Sequence, residues 1–170
     1  MESFRLTISV VLLVFNRPSV TSRVFAAIRE TRPTRLFIIA DGPREGRSSD
    51  VASCAEVRRI VACIDWPCEV SRNYSDVNLG CKKRVASGLD WVFQQVEEAI
   101  ILEDDCLPDP TFFRFCQELL GRYRDDEKVM SICGSNPLRT WKADIQGYHF
   151  SLNGGIWGWR PGAGPGKTMM

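Results

Sequence analysis

The chain has 170 residues, 44% of them apolar and 25% charged, which is room for one globular domain and excludes a disordered or collagen-like chain. Its 22 Lys and Arg stand against 21 Asp and Glu, so a dedicated nucleic-acid or anionic-membrane binder, which carries a basic excess, is not expected. Any chemistry on anions must come from a local cluster.

Residues 6–15 form the most apolar stretch and read as a strand stopped by Asn16-Arg17-Pro18. The run is too short to span a bilayer and lacks the basic start and small-residue cleavage site of a signal peptide. Residues 19–32 follow as a helix, with Val20, Val24, Ala27 and Ile28 at core spacing. A second strand, residues 36–40, ends in the turn residues Asp41-Gly42-Pro43. A helix is predicted near residues 50–63, and Pro67 separates it from a strand over residues 68–74. Asn78-Leu79-Gly80 leads into a helix from about 82 to 95, apolar at Val85, Leu89, Val92 and Phe93. Residues 99–102 are a short continuous apolar run, the signature of a central strand, ending abruptly in Glu103-Asp104-Asp105. Asp109-Pro110 reads as N-cap and first residue of a helix to about 124, and residues 128–133 as a further strand.

This alternation implies an α/β fold: one Rossmann-like domain whose mainly parallel sheet carries helices on both faces. In such sheets ligands bind outside the carboxyl ends of the strands. Four polar clusters fall there: Phe15-Asn16-Arg17, Asp41-Gly42, Asn78-Leu79-Gly80 with Lys82 and Lys83, and Glu103-Asp104-Asp105. Three successive carboxylates after a buried strand call for a neutralising cation, and hard oxygen ligands suit Mg²⁺ or Mn²⁺. The same run also reads as a solvated turn capping the next helix. Asp41 is either a turn residue or an acceptor for a base or ribose. Asn78 is either the cap of the following helix or part of an anion site at its N-terminus with the two lysines.

The seven cysteines are scattered, with no C-x-x-C and a single histidine, His149, so no zinc site is expected. Reduced thiols in the cytoplasm are the economical reading.

With these clusters placed, the chain resembles a glycosyltransferase of the GT-A type, of the bacterial family-2-like kind, and is distantly similar to the N-acetylglucosaminyltransferase I group. The resemblance runs from residue 11 to 159 through VLLVFNRP, LFIIADGP, IDWPCEV, NLGCKKRVASGLDWVF, IILEDDCLPDPTFFRFC and IWGW. Glu103-Asp104-Asp105 matches the variant of the D-x-D signature in which the last acid contacts the metal. The resemblance implies a nucleotide-sugar donor whose diphosphate is bridged by Mn²⁺ or Mg²⁺ held by Asp105, with Asp104 toward the ribose and Glu103 either toward the base or behind the residues that touch donor and metal. Phe15, Asn16, Arg17, Asp41, Asn78, Gly80, Lys82 and Lys83 match donor-binding positions. It also implies a saccharide or lipid-linked acceptor, no nucleic-acid partner, and a place in the cytoplasm, at the inner face of the cell membrane where the protein associates peripherally. The same acids would serve an α/β nucleotidyltransferase, and a non-catalytic nucleotide-binding remnant would keep the same pocket.

The pattern departs from the family after Trp159. Relatives of this type continue A-T-W-R-R-A-W into the region that supplies the catalytic base, whereas this chain runs into six glycines and two prolines between residues 154 and 166. One permissible coding of residues 159–170, with a single G restored after the Trp159 codon, translates as WATWRRAWKDYD. The expectation is therefore a one-nucleotide frameshift, real or from sequencing, that leaves residues 1–159 as the donor-binding part of a domain incomplete at its C-terminus, with little or no transferase activity of its own. Residues 160–170 would then be a non-native, disordered tail. Residues 162–168 imitate a P-loop, but the first required glycine falls on Pro161.

Overall fold

The computed structural model describes residues 4–135 and 147–152. The elements follow in the order β1 (Ser9–Val14), α1 (Pro18–Thr31), β2 (Arg35–Ala40), α2 (Ser48–Ala62), β3 (Glu69–Tyr74), α3 (Cys81–Phe93), β4 (Ala99–Glu103) and α4 (Pro110–Arg122). The four strands form one all-parallel sheet in the order β3-β2-β1-β4. The fold is thus α/β with helices on both faces of the sheet.

The hydrophobic pattern explains the layers. β1 is buried at every position, because side chains alternate between two covered faces. Val10, Leu12 and Val14 point into a core built with Val24 and Ile28 of α1, Val57 and Val61 of α2, and Phe113 and Leu120 of α4. Val11 and Leu13 point the other way, to Phe37, Ile39, Ile101 and to Leu89 and Val92 of α3. Phe37 and Phe113 are fully buried, each worth about 1.5–3 kcal/mol over an exposed ring.

The topology follows from handedness. α1 and α2 carry the chain from β1 outward to β3 on one face. The return to β4, on the far side of β1, must then cross on the opposite face to stay right-handed. α3 makes that crossing, and Gly88 lets it approach closely: a Cβ there would lie 2.7 Å from the Ile39 side chain. The strand order consequently reverses between β1 and β4, the place where this class of sheet binds ligands.

Local signals set the helix ends. Pro18 and Pro110 open α1 and α4, where a missing N–H costs nothing. Asp109 caps α4 by accepting from the Thr111 N–H at 2.9 Å. Arg32 ends α1 in the left-handed region at φ 47°.

One predicted element is not formed. Residues 128–133, expected as a fifth strand, make a turn and then an irregular segment. The Lys128 N–H donates to the Asp126 carboxylate at 2.9 Å and the Val129 N–H to the Asp126 carbonyl at 3.0 Å, which turns the chain at that point. Ile132 still reaches the core, so the apolar spacing reflected burial and not a ladder. Among the described residues no helix is long and apolar enough to cross a membrane. The P-loop-like run, the IWGW segment and the tail after Trp159 lie outside the described residues.

Candidate functional site

The acids are positioned by strand register. β4 lies beside β1 with Leu13 opposite Glu103, so Asp104 and Asp105 come level with the residues that leave β1. The Phe15 N–H donates to Asp104 Oδ2 at 3.3 Å. Arg17 stands at the N-cap of α1, its carbonyl accepting from the Thr21 N–H at 3.0 Å, and its guanidinium spans both acids. Nη1 donates to Asp105 Oδ2 at 2.8 Å, and Nη2 donates to Asp104 Oδ1.

The two acids differ in setting. The Asp104 side chain is 3% exposed, and those of Asp105 and Arg17 are 43% and 48% exposed. Burial pushes the Asp104 carboxyl above its ordinary value, against the pull of Arg17. Glu103 is raised too, first by burial and then by its two acidic neighbours. Burial also pushes the thiol of Cys106, which follows Asp105, up to about 11.

Among the described residues no three His, Cys, Asp or Glu side chains are placed to share a metal ion. An all-protein cage is therefore not what these residues build. Mg²⁺ and Mn²⁺ are commonly held by one or two carboxylates, with phosphate oxygens and water completing the shell. The half-exposed Asp105 carboxylate, beside a cation able to face a diphosphate, fits that substrate-bridged kind of site.

A second group organises the end of β2. The Asp41 carboxylate is buried and accepts from the N–H groups of Gly42 and Leu79, each at 2.9 Å, and from the Gly80 N–H and Asn78 Nδ2, each at 3.1 Å. Asn78 Nδ2 also donates to the Gly42 carbonyl at 2.9 Å. Four donors fill the acceptor capacity of one carboxylate. Asp41, read from the sequence as a turn residue or an acceptor for a base or ribose, ties the loop before α3 to the end of β2. Asn78 belongs to the same hook and does not cap α3. The N-cap is Gly80, at φ 78°, a left-handed conformation suited to glycine.

Asn16 turns away from the acids and donates to Asp50 Oδ1 at 2.8 Å. Asp50 is buried in the first turn of α2 and is gripped by Arg44, whose Nε, Nη2 and backbone N–H donate at 2.6, 3.0 and 3.2 Å. The Arg44 guanidinium and Asn16 hold the Asp50 carboxyl well below the usual carboxylate range. Arg44 also lies over the Phe15 ring, 5.5 Å from its centroid.

Between these groups is a cleft of about 290 Å³. Leu13, Val14, Phe15, Ile39 and Val85 give it an apolar floor, and Asp41, Arg44, Asn78, Gly80 and Arg84 supply its polar lining. Arg84, which also lines the cleft, is buried and donates Nε to the Ala40 carbonyl at 3.2 Å and Nη2 to Asn73 Oδ1 at 2.9 Å. Burial lowers its pKa. Phe15 links cleft and acids, since its ring lines the one and its amide holds the other.

The structure thus brings Phe15, Arg17, Asp104 and Asp105 together in one corner, with Glu103 at the end of the strand behind them. Asp41, Asn78 and Gly80 form a second group, and Asn16 is joined to Asp50. Lys82 and Lys83 are exposed in the first turn of α3 and line neither corner. Sequence reasoning missed Arg44, Asp50 and Arg84. Asp50 carried one signal, an acid in the first turn of a predicted helix, whereas nothing in the local pattern marks Arg44 or Arg84.

No protein-family model matches this chain, and no curated protein matches it.

Proposed function

We propose that this protein binds a nucleoside-diphosphate sugar and belongs to a metal-dependent glycosyltransferase, the reaction being transfer of the sugar to an acceptor hydroxyl. The observation that carries the reading is Arg17 astride Asp104 and Asp105, next to an apolar cleft with a polar rim. A planar base fits the apolar floor between Phe15 and Val85, and the diphosphate then extends toward Asp105 and Arg17. When bound, Mn²⁺ or Mg²⁺ supplies charge neutralisation for the departing nucleoside diphosphate. Asp105 is the residue that would hold it, with Asp104 and Phe15 fixing Arg17 at the same corner.

In the transfer, the bond from the anomeric carbon to the diphosphate oxygen breaks as the acceptor oxygen bonds to that carbon. A carboxylate takes the acceptor proton, and the family resemblance puts that base beyond residue 159. All seven cysteines are free thiols, which supports a cytoplasmic location. Association with the inner membrane face belongs to the same proposal through the family resemblance.

Calorimetric titration of UDP, GDP and dTDP in the presence of Mn²⁺ tests the reading. Heat of binding with at least one of them is expected; no heat with any, in protein shown to be folded, contradicts it. Binding without sugar release from any nucleotide sugar would favour the non-catalytic remnant.

A further inference from the structure

The guanidinium of Arg17 makes two unlike bonds. The one to Asp104 ends on a side chain 3% exposed, and the one to Asp105 on a side chain 43% exposed. Breaking a buried ion pair strands an uncompensated charge and is expensive. An exposed pair is worth little and exchanges readily with water or another ion. Asp104 has one other described donor, the Phe15 N–H at 3.3 Å, so it depends on Arg17. The outer bond is therefore the one that gives way, with Arg17 turning about its bond to Asp104.

We propose that Arg17 is the resident counter-cation of Asp105 and exchanges partners on ligand binding, leaving Asp105 to a divalent cation as it turns to the donor's diphosphate. This rests on the proposed function and assigns the donor site its order of assembly. A divalent cation arriving alone meets Arg17 on the same carboxylate, and like charges repel across it. A nucleoside diphosphate arriving alone finds Arg17 engaged by the acids, and drawing it away leaves Asp105 without a counter-charge. Together the two ligands separate the cations by an anion, and each strengthens the other by the same factor. Arg17 is a switch between an internal salt bridge and a ligand contact, and it makes the site refuse free metal.

The test is Mn²⁺ binding followed by the electron paramagnetic resonance signal of free Mn²⁺, with and without UDP, GDP or dTDP, in wild type, Arg17→Gln, Arg17→Lys and Asp105→Asn. Arg17→Gln is expected to bind Mn²⁺ alone about fivefold more tightly than wild type, since an exposed pair no longer competes. The factor by which nucleotide tightens Mn²⁺ binding is expected to fall in the same variant. Arg17→Lys keeps the charge without the two-pronged geometry and should lie between the two. Asp105→Asn should lose the Mn²⁺ gained. The Arg17 backbone contact to Thr21 is kept in every variant, and a thermal melt checks the fold. An Arg17→Gln protein that binds Mn²⁺ no more tightly than wild type overturns the exchange, whatever the nucleotide does. The donor reading is judged separately, by whether wild type responds to any nucleotide.

Discussion

The backbone N–H of Phe15 donates to the carboxylate of Asp104 at 3.3 Å across 89 positions of sequence. This bond exists because two neighbouring parallel strands end in register, and it joins the cleft to the acidic corner. The same strand end delivers Arg17 to both acids. Fold and site are here one fact: the reversal of strand order between β1 and β4 places a loop with a cation beside a strand end that carries three successive acids.

Acid should act on Asp50 and Asp104 in opposite senses. Asp50 has a lowered folded value, so its stabilisation is complete above its unfolded value near 3.8 and is lost as pH falls below it. Asp104 has a raised folded value, so its charge opposes folding at neutral pH, and that penalty is relieved as pH falls through the raised value. Asp50→Asn is therefore expected to lower the thermal midpoint at neutral pH, the gap to wild type narrowing below about pH 4. A gap that stays constant on acidification would show that the charge of Asp50 is immaterial.

Asp41→Ala would strand the Gly42, Leu79 and Gly80 amides and leave Asn78 Nδ2 with the Gly42 carbonyl alone. The expected destabilisation is about 3 kcal/mol in urea unfolding, the scale of lost bonds to a buried charged acceptor. Asp41→Asn, which keeps one acceptor oxygen, should be milder. Unchanged stability with weakened nucleotide binding would return Asp41 to a ligand contact.

Two glycines should answer oppositely to alanine. A Cβ on Gly42 would lie 2.5 Å from the Val77 backbone, and backbone cannot move as a side chain can. The expected cost is about 1–3 kcal/mol, with the loop before α3 displaced. At Gly121, in the last turn of α4, a Cβ meets nothing within 4 Å. There Gly121→Ala should stabilise by about 0.5–1 kcal/mol through helix propensity and a less flexible unfolded chain. Chemical denaturation of the two variants side by side reads both signs.

The layered fold was legible because β1, β2 and β4 are apolar on both faces, a pattern a strand covered on both sides produces and a surface helix does not; β4, expected as a central strand, is instead an edge strand of the described sheet, and its apolar run reflects cover on both faces. The segment 128–133 carried a strand-like apolar spacing without a partner, and one buried residue, Ile132, is all that the spacing meant. The acidic corner was readable from three carboxylates abutting an apolar strand, and Arg17 from its place at the end of β1. The use of Asp41 was not, because its partners are mostly backbone amides of a loop 37 to 39 positions away, and amides leave no mark in a sequence. Arg44 and Asp50 were hidden for a related reason: six residues apart, they meet only because the loop before α2 folds back.

The central claim is that the corner held by Arg17 is a nucleotide site completed by a divalent cation on Asp105. Its most direct test is nucleotide affinity with and without Mn²⁺, in wild type and in Asp105→Ala. Wild type is expected to bind one of UDP, GDP or dTDP at least tenfold more tightly with Mn²⁺, about 1.4 kcal/mol, and Asp105→Ala to lose that enhancement while keeping its fold. An affinity indifferent to Mn²⁺ in wild type, or an enhancement that survives Asp105→Ala, would contradict it.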